Sequence, residues 1–438
     1  MSQSQPSPPS DWPKALGFLA GFGVLRHKYF RLLWIGQVAS GIGQSFQALA
    51  VSWHIYTITD STIALGVVAL LRFVPFMAFS LVGGAVADAF DRRRLLLITQ
   101  GCQMAVSLFL LGTVLLGIDS PWPLYLSAFL GGAFAAFDGP ARQALVPNLV
   151  PREEIPNALT VQTLVRQTST IIGPGLAGMY VAAFGIGSTF GVTAATYMLV
   201  LALLMAMRGV VVPPPPKSTV SNVQRIKDGL VFSRTEPLIL LPLALDFILR
   251  TLGSPRGLFP VFARDIFKVG VVGAGWLNSA TAVGGIVGGV MVGSSMRIPK
   301  PVFIMMAMYF IEALGNGAVG IVPSFFLAWV AQFVAGYCNV VGEVVFASIV
   351  QLRTPDHLRG RTTALTNMLS QGGPPLGQFE VGLLASALGP GPAVLLNGLA
   401  GAVTTVAFCF LPGIRQSLNL RDLSALQTAE ERDEAAKS

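Results

Sequence analysis

The sequence is dominated by apolar runs, each about as long as a helix that crosses a membrane. Such a helix needs about 20 mostly apolar residues. Only 11% of the 438 residues are charged, whereas soluble domains carry about 25%. The sequence therefore predicts an all-α polytopic membrane protein. We count twelve candidate transmembrane helices, at residues 30–56, 62–87, 95–117, 122–145, 157–184, 187–208, 237–262, 271–293, 301–320, 323–347, 362–388 and 390–411.

The stretch between the sixth and seventh runs divides the chain into two groups of six helices. It contains four consecutive prolines, Pro213 to Pro216, and several charged residues, a composition typical of a linker. Residues 150–160 resemble residues 354–366, which indicates that the two groups are repeats of one unit. The predicted parts are a disordered tail at 1–28, a six-helix bundle at 29–208, a linker at 209–236, a second six-helix bundle at 237–411 and a tail at 412–438.

Lysine and arginine are distributed unequally between the two sides of the predicted membrane. If the N-terminal tail lies in the cytosol, 23 of the 29 basic residues fall on that side and 2 fall on the opposite side. Loops rich in lysine and arginine face the cytosol. Both termini and the linker are therefore predicted to be cytosolic. Because the basic residues lie in such loops, the net charge of +8 does not indicate a nucleic-acid partner.

A short charged turn joins the second and third predicted helices. It contains Gly84, Asp88 and Asp91, followed by three arginines, Arg92 to Arg94. Gly84 and Asp88 lie four residues apart and so share one face of a helix. Arginines would mark any cytosolic turn. The glycine and the two carboxylates need a further explanation.

This turn resembles the loop motif of the major facilitator superfamily, Gly-x-x-x-Asp-x-x-Gly-Arg-Arg/Lys, which lies between helices 2 and 3. Gly84, Asp88, Arg92 and Arg93 match the motif, and Asp91 stands where the general motif has glycine. An Asp-Arg-Arg version is common in the branch of drug and siderophore exporters. The resemblance implies the two-bundle fold of the superfamily and a gating role for the turn.

The same resemblance implies two contacts of the turn with other helices. Asp88 is expected to lie near Thr362, at the start of the eleventh helix, where a helix N-terminus favours an anion. An acid near the end of the fourth helix, here Asp138, is expected to pair with Arg92. Such contacts would hold one transport state closed on the cytosolic side.

The fifth predicted helix carries a run of small residues around a proline. Gly173, Pro174 and Gly178 match the antiporter motif of superfamily exporters, Gly-x-x-x-Gly-Pro-x-x-Gly-Gly. Proline bends a helix and glycine allows a neighbouring helix to approach closely. A kinked packing helix would need the same residues. The resemblance favours export over uptake.

Arginine and glutamine residues inside the predicted helices are candidates for substrate binding, because polar groups in a membrane are costly and usually functional. Arg72 lies near the middle of the second helix, too deep to reach the membrane surface easily, and is predicted to line a cavity. Arg166 lies in the fifth helix. Three glutamines of the first helix share one face by their spacing of seven and three residues, namely Gln37, Gln44 and Gln47.

Carboxylates inside the second group of helices are candidates for proton binding. Asp246 and Arg250 lie four residues apart in the seventh helix, where they form either a structural pair or a working site. Glu343 and Glu380 lie in the tenth and eleventh helices. Glu312, in the ninth helix, is assigned either to proton binding or to packing. We predict that Asp246, Glu343 or Glu380 carries the coupling proton.

Together these features resemble a twelve-helix exporter of siderophores or drugs. The resemblance implies proton-driven antiport of a small organic molecule by a monomer in a bacterial inner membrane. Two alternatives stay open: a permease that imports a metabolite or metal chelate, and a scaffold or receptor that does not transport. The sequence contains no nucleophile motif, cofactor motif or metal-ligand spacing, so no enzyme activity, cofactor or metal is predicted.

Overall fold

The structure is a computed structural model that describes residues 22–89, 91–207, 230–231, 236–252, 254–294 and 300–417. Nearly all of these residues are helical, and no β-strand occurs among them. This confirms the predicted all-α fold class. The predicted linker lies almost wholly outside the described residues, as do most of both tails.

The first group of helices begins earlier than predicted and contains one backbone break. Its helices are α1 (Lys28–Thr59), α2 (Thr62–Ala89), α3 (Arg92–Leu115), α4 (Trp122–Leu145) and the long segment Ile155–Ala206. Gly185 divides that segment, with φ 82° and ψ 171°. Glycine adopts this positive φ because it has no Cβ. We call the two parts α5 (155–184) and α6 (186–206), which agree with the fifth and sixth predicted helices.

The predicted disorder of residues 1–28 is wrong for the last residues of that tail. Phe22–Arg26 form a 3-10 helix. Val24 is buried and packs in one apolar cluster with Phe30 and Leu149. The physical reason is that this end of the tail is apolar enough to bury side chains against the first bundle. Residues 1–21 lie outside the described part of the chain.

The second group of helices contains a helix that breaks in the middle. α7 (Pro237–Leu252) ends early and is followed by a 3-10 turn (Pro255–Leu258), one α-helical turn (Phe259–Val261) and a π-helical turn (Phe262–Ile266). The continuous helix predicted at 237–262 is therefore wrong. Proline lacks the N–H that a continuous helix needs and forces the residue before it out of the helical conformation. The other helices are α8 (Gly270–Ser294), α9 (Pro301–Ala318), α10 (Phe325–Arg353), α11 (Asp356–Leu388), α12 (Pro390–Cys409) and α13 (Pro412–Ser417).

Eight helical segments of the described chain are long and apolar enough to cross a membrane, with α5 and α6 counted as one. α1, α4 and α11 are not among them. α1 and α4 supply much of the wall of a polar cavity, and α11 contributes Gln378 to it, so polar residues that face the cavity lower the mean hydropathy of these helices. Each of the other predicted runs also coincides with a helix. The architecture is therefore consistent with twelve crossings, whose number stays a prediction.

The helices alternate in direction, so their connections lie at two ends of the molecule. The Asp60 end is the end at which α1 meets α2, and the Asp91 end is the end at which α2 meets α3. An apolar cluster near the Asp60 end contains residues of both helix groups, among them Ile55 and Leu65 from the first and Phe259, Phe262 and Val381 from the second. The two groups are thus packed together there.

Candidate functional site

A cavity of about 850 Å³ lies between the two groups of helices. The first group contributes residues of all six of its helices to the wall, mostly from α1, α2, α4 and α5. The second group contributes residues of the broken α7, of α8 and of α11, namely Arg256, Gly257, Pro260, Asn278 and Gln378. Its volume is that of a site for a small organic molecule.

Glutamines of α1 form one polar stripe of this cavity. Gln37, Gln44 and Gln47 all line it, as their shared helix face suggested. The Gln47 Oε1 atom accepts a hydrogen bond of 3.0 Å from the Ser107 hydroxyl of α3. That bond orients one of the three amides, while the others present donors and acceptors to the cavity.

Arg72 of α2 lines the cavity with an exposed side chain. Its carbonyl oxygen lies against Gly132 of α4, where a Cβ atom would collide with it. This close approach fixes the position of α2 beside α4. No carboxylate in the described part of the chain pairs with Arg72. The side chain of Arg166, the other predicted arginine, lies outside the described residues.

Arg256 is a cavity residue that the sequence reasoning did not single out. It lies in the 3-10 turn that follows the break in α7, and its side chain is exposed to the cavity. The following residue, Gly257, packs on α11, because a Cβ there would lie 3.1 Å from the Gln378 Cγ atom. The sequence signal was the Gly-Ser-Pro run at 253–255, which breaks helices.

Asp138 pairs with a different arginine from the one expected. Its Oδ2 atom accepts a 2.7 Å hydrogen bond from Arg142 Nε, and its Oδ1 atom accepts one of 2.7 Å from Gln100 Nε2. The expected pair with Arg92 is absent. The physical reason is that Arg142 lies four residues further along the same helix and so reaches the carboxylate directly. Asp138 and Arg142 both line the cavity.

The carboxylates predicted for proton binding lie off the cavity wall. Arg250 Nε bonds both carboxylate oxygens of Asp246, at 3.0 and 2.9 Å, and an Nη atom of Arg250 pairs with Glu343 of α10. The Ser370 hydroxyl of α11 lies 3.4 Å from Asp246. We call Asp246, Arg250 and Glu343 the α7–α10 charge cluster. With two carboxylates and one guanidinium, its ionised form carries one net negative charge.

The two remaining intramembrane carboxylates each contact an amide. Asn397 of α12 donates a 2.7 Å hydrogen bond to Glu380, and Asn339 of α10 donates one of 2.9 Å to Glu312. Neither glutamate lines the cavity. Both are half-buried among helices of the second group. Both therefore lie behind the cavity wall, where Glu312 is still near enough to Arg256 to attract it electrostatically.

The charged turn between α2 and α3 is only partly described. α2 extends to Ala89, so Gly84 and Asp88 are helical, but their side chains lie outside the described residues. Asp91 caps α3, because its carboxylate accepts hydrogen bonds from the Arg93 and Arg94 backbone N–H groups. This capping gives a physical reason for aspartate where the general motif has glycine.

Arg92 and Arg93 of the same turn both fold back onto the first bundle. Arg93 donates hydrogen bonds to the backbone carbonyls of Leu204 and Met205 at the end of α6, at 2.7 and 3.1 Å. Arg92 is buried. A cation bound at the carbonyl end of a helix is favoured by the helix dipole. These contacts hold α3 against α6.

The small-residue run of α5 lies between two neighbouring helices. A Cβ atom on Gly173 would collide with Ser45 of α1. One on Gly178 would lie 2.8 Å from the Val271 carbonyl oxygen of α8. Pro174 lines the cavity between them. The run therefore lets α5 approach a helix of each group at the same time, which a helix of larger residues could not do.

Comparisons with known proteins agree with this fold and cavity. The chain has the architecture of a transporter of the major facilitator type. The profile of the family described as transmembrane secretion effector (MFS_3) matches residues 19–432, and the chain belongs to that family. It is 25% identical over 381 residues to the enterobactin exporter EntS of Escherichia coli O139:H28, with 87% of each chain covered, and to that of Escherichia fergusonii to the same extent.

Solved structures with this fold are more distant in sequence. The nucleoside transporter NupG superposes with a TM-score of 0.71 at 10% identity, covering 87% of this chain and 98% of that one. A bacterial homologue of the human lysosomal transporter Spinster, in an inward-facing and unoccupied conformation, has a TM-score of 0.61 at 15% identity, covering 91% and 93%. At these identities the similarity shows the fold alone. Membership of the secretion-effector family and similarity to an exporter, together with this fold, make the protein a transporter rather than an enzyme.

Proposed function

We propose that this protein is a secondary active transporter that exports a small organic molecule, siderophore-like or drug-like, by proton antiport. The observation that carries the proposal is the cavity, which both helix groups line and which presents Arg72 without an acidic partner among the described residues. The similarity to the enterobactin exporter supports the export direction and the siderophore class. Rocking of the two groups about this cavity would give alternating access.

Arg72 is proposed to orient an anionic or acceptor-rich substrate. A guanidinium presents a planar fork of donors that fits carboxylate or catecholate oxygens. Gln37 and Gln44 would add neutral donors and acceptors to the same site. Arg166 stays a candidate from the sequence for the same role. Arg72→Ala is expected to weaken substrate binding itself.

Proton coupling is proposed for the α7–α10 charge cluster. One proton neutralises its net negative charge and weakens the hold of Arg250 on one carboxylate. Glu343 is the more accessible carboxylate, with 42% of its side chain exposed against 4% for Asp246, so a proton reaches it more easily. Glu380 remains the second candidate, because Asn397 alone contacts its carboxylate among the described residues.

Glu343→Gln is expected to keep substrate exchange but to lose proton coupling, because a carboxamide cannot bind and release the proton. In proteoliposomes the variant should exchange substrate at close to the wild-type rate but fail to concentrate it when a pH gradient is imposed. One pH unit supplies about 1.4 kcal/mol, or roughly tenfold accumulation, per proton. Glu153→Gln, at an exposed position of the 3-10 turn Arg152–Glu154, is the matched control. Undiminished accumulation by Glu343→Gln would remove the assignment.

Transport itself is tested with purified protein in vesicles that contain labelled enterobactin or a panel of drug-like compounds. Efflux driven by a pH gradient supports the proposal. Accumulation in the opposite direction would favour an importing permease, and no transport of any compound would favour a scaffold or receptor. Comparing which compounds a deletion strain retains identifies the substrate.

Localisation in a bacterial inner membrane with both termini cytosolic is proposed from the charge distribution. A reporter that is active only in the periplasm, fused after Ser438, should give no signal.

The loop motif provides a further expectation: Asp88→Asn should impair transport and leave the amount of protein in the membrane unchanged. Function as a monomer is also proposed, and the mass of the detergent-solubilised protein tests it.

A further inference from the structure

The break in α7 places irregular backbone deep inside the helical assembly. Ser254 is extended, with φ −90° and ψ 102°, and the 3-10 turn begins at Pro255. Non-helical backbone at membrane depth is tolerated only where protein buries it or where it lines a water-filled cavity. Gly257 and Pro260, on the same irregular stretch, line the central cavity. The break therefore exposes a short polar segment of the second helix group to that cavity.

Arg256 is the charged residue of this segment and forms no direct ion pair with a carboxylate of the described part of the chain, although Glu312 and Glu343 lie near enough to attract it electrostatically. The arginines before and after it in the sequence do have acidic partners. Arg250, six residues earlier, is held by Asp246 and Glu343, and Arg264, eight residues later, pairs with Asp60. An arginine without a direct ion pair inside a membrane protein is costly and marks a ligand pathway.

The charges of the cavity wall leave an excess of positive charge. Arg142 and Asp138 both line the wall and neutralise each other. Arg72 and Arg256 then remain as two cations without counter-ions among the described wall residues. A cleft lined by one sign of charge with low-dielectric walls concentrates ligands of the opposite sign. The ligand that fits this wall therefore carries anionic or strongly accepting oxygens.

The two arginines belong to different helix groups. Arg72 lies on α2, in the first group, and Arg256 lies after the break of α7, in the second. A ligand that binds both connects the groups directly. Each guanidinium can hold one carboxylate or catecholate through two parallel hydrogen bonds. A ligand with a single such group can satisfy only one of the arginines at a time.

We propose that Arg72 and Arg256 form a two-armed site for a small molecule with two separated oxygen-rich acidic groups, one held by each helix group. This inference rests on the proposed function in taking the central cavity as the substrate site. Arg256 is then a specificity-determining residue, because it selects ligands with two such groups over ligands with one.

The test uses the full-length protein in lipid nanodiscs and two probes. The one-armed probe is a single dihydroxybenzoyl group carried as a neutral N-alkyl amide. The two-armed probe is a pair of dihydroxybenzoyl groups joined by a neutral alkyl diamide. Calorimetry should show that the wild type binds the two-armed probe about ten- to a hundredfold more tightly, as expected for one further charge-assisted contact. Equal affinities for the two probes, or binding of neither, would overturn the proposal.

Single and double arginine variants then test whether each arginine binds one end of the two-armed probe. Arg72→Gln and Arg256→Gln should each lower the affinity for the two-armed probe about ten- to a hundredfold, to near that of the one-armed probe. Each should change the affinity for the one-armed probe by no more than about twofold, because the other arginine still binds it. The double variant should bind both probes weakly. Arg152→Gln, an exposed residue outside the cavity, is the matched control.

A conservative variant controls for misfolding of Arg256→Gln. Arg256→Lys keeps the charge but loses the fork, and should give an affinity for the two-armed probe between those of wild type and Arg256→Gln. If Arg256→Gln and Arg256→Lys both bind that probe within twofold of wild type while Arg72→Gln does not, the second arm is wrong and the proposed transport function is unaffected. Failure of the transport function would instead appear as a wild-type protein that moves no compound in vesicles.

Discussion

At the Asp60 end of the molecule the two helix groups touch through polar side chains, whereas at the Asp91 end the contacts of Arg26, Arg93 and Glu154 are made within the first group. Arg264 of the second group pairs with Asp60 at 2.6 Å, and its guanidinium lies 5.1 Å from the centre of the Tyr56 ring. The Tyr56 hydroxyl donates to Asp265. The ends of α1 and of the broken α7 are thereby joined.

Small residues let the helix backbones meet at the same end. The Thr62 hydroxyl of α2 donates a 2.8 Å hydrogen bond to the Gly382 carbonyl of α11. A Cβ atom on Gly66 would lie 2.8 Å from the Phe379 Cα atom. Such separations are reached only between a glycine and a neighbouring backbone. The packed backbones and the apolar cluster close this end of the cavity.

The Asp91 end shows the opposite arrangement. Arg26 and His27 both pair with Glu154, which ties the start of α1 to the α4–α5 connection. The cavity wall continues toward this end as far as Gln143 and Pro147. The alternating access proposed above requires one side to be closed at a time, and the tightly packed Asp60 end fits that closed side. Exposed ion pairs are worth only about 0–1 kcal/mol, so the closed end is held mainly by close backbone packing and can still open.

Gly66→Ala is expected to have the largest effect on the difference between the ends. The added methyl group meets the Phe379 backbone, and overpacking of this kind costs roughly 1–3 kcal/mol. The Asp60 end should then stay open more often, and transport should fall about five- to a hundredfold. Initial transport rates and the labelling of cysteines placed at that end measure the change.

Gly101→Ala is the control for that variant, because no atom lies within 4 Å of a Cβ built there. Both substitutions add one methyl group to a helix, so they share the same small gain in helix propensity. A loss of transport as great in Gly101→Ala would contradict the packing explanation.

Asp91→Ala should have an intermediate effect that is confined to the Asp91 end. It removes the carboxylate that caps α3, which costs about 0.5–2 kcal/mol. The melting temperature should fall by a few degrees, while cysteine labelling at the Asp60 end stays at the wild-type level. Asp91→Ser restores a capping oxygen and should recover most of the stability. A melting temperature unchanged in Asp91→Ala would show that the cap does not contribute.

Asp60→Asn should have the smallest effect, because the pair with Arg264 is largely exposed. With 70% of the Asp60 side chain accessible to solvent, the expected cost is about 0.2–1 kcal/mol. The open population of the Asp60 end should rise by about 1.4- to fivefold, and less at high salt. Spin-label distances between the two groups measure this. Asp119→Asn, an exposed aspartate at the same end, should change nothing, and a matching shift there would point to net charge instead of this pair.

The sequence by itself determined where most of the helices lie and much of what α1 contributes to the cavity. Hydropathy and backbone hydrogen bonding are local properties, so runs of about 20 apolar residues predict helices without knowledge of the rest of the chain. The gap between the fifth and sixth predicted helices coincides with the backbone break at Gly185. The periodic glutamines Gln37 and Gln44 lie on the cavity wall because helical spacing alone places them on one face.

Only the tertiary structure decided what each intramembrane charge does. Arg250 and Arg256 are six residues apart in one broken helix, yet the first is bound to Glu343, 93 residues away in the chain, and the second faces the cavity. Asp138 likewise bonds Arg142 and Gln100 in place of Arg92. Helix packing sets which face of a helix meets which neighbour, and these contacts join residues far apart in sequence. The partner of a buried charge is therefore fixed by the assembled helices and by no local pattern.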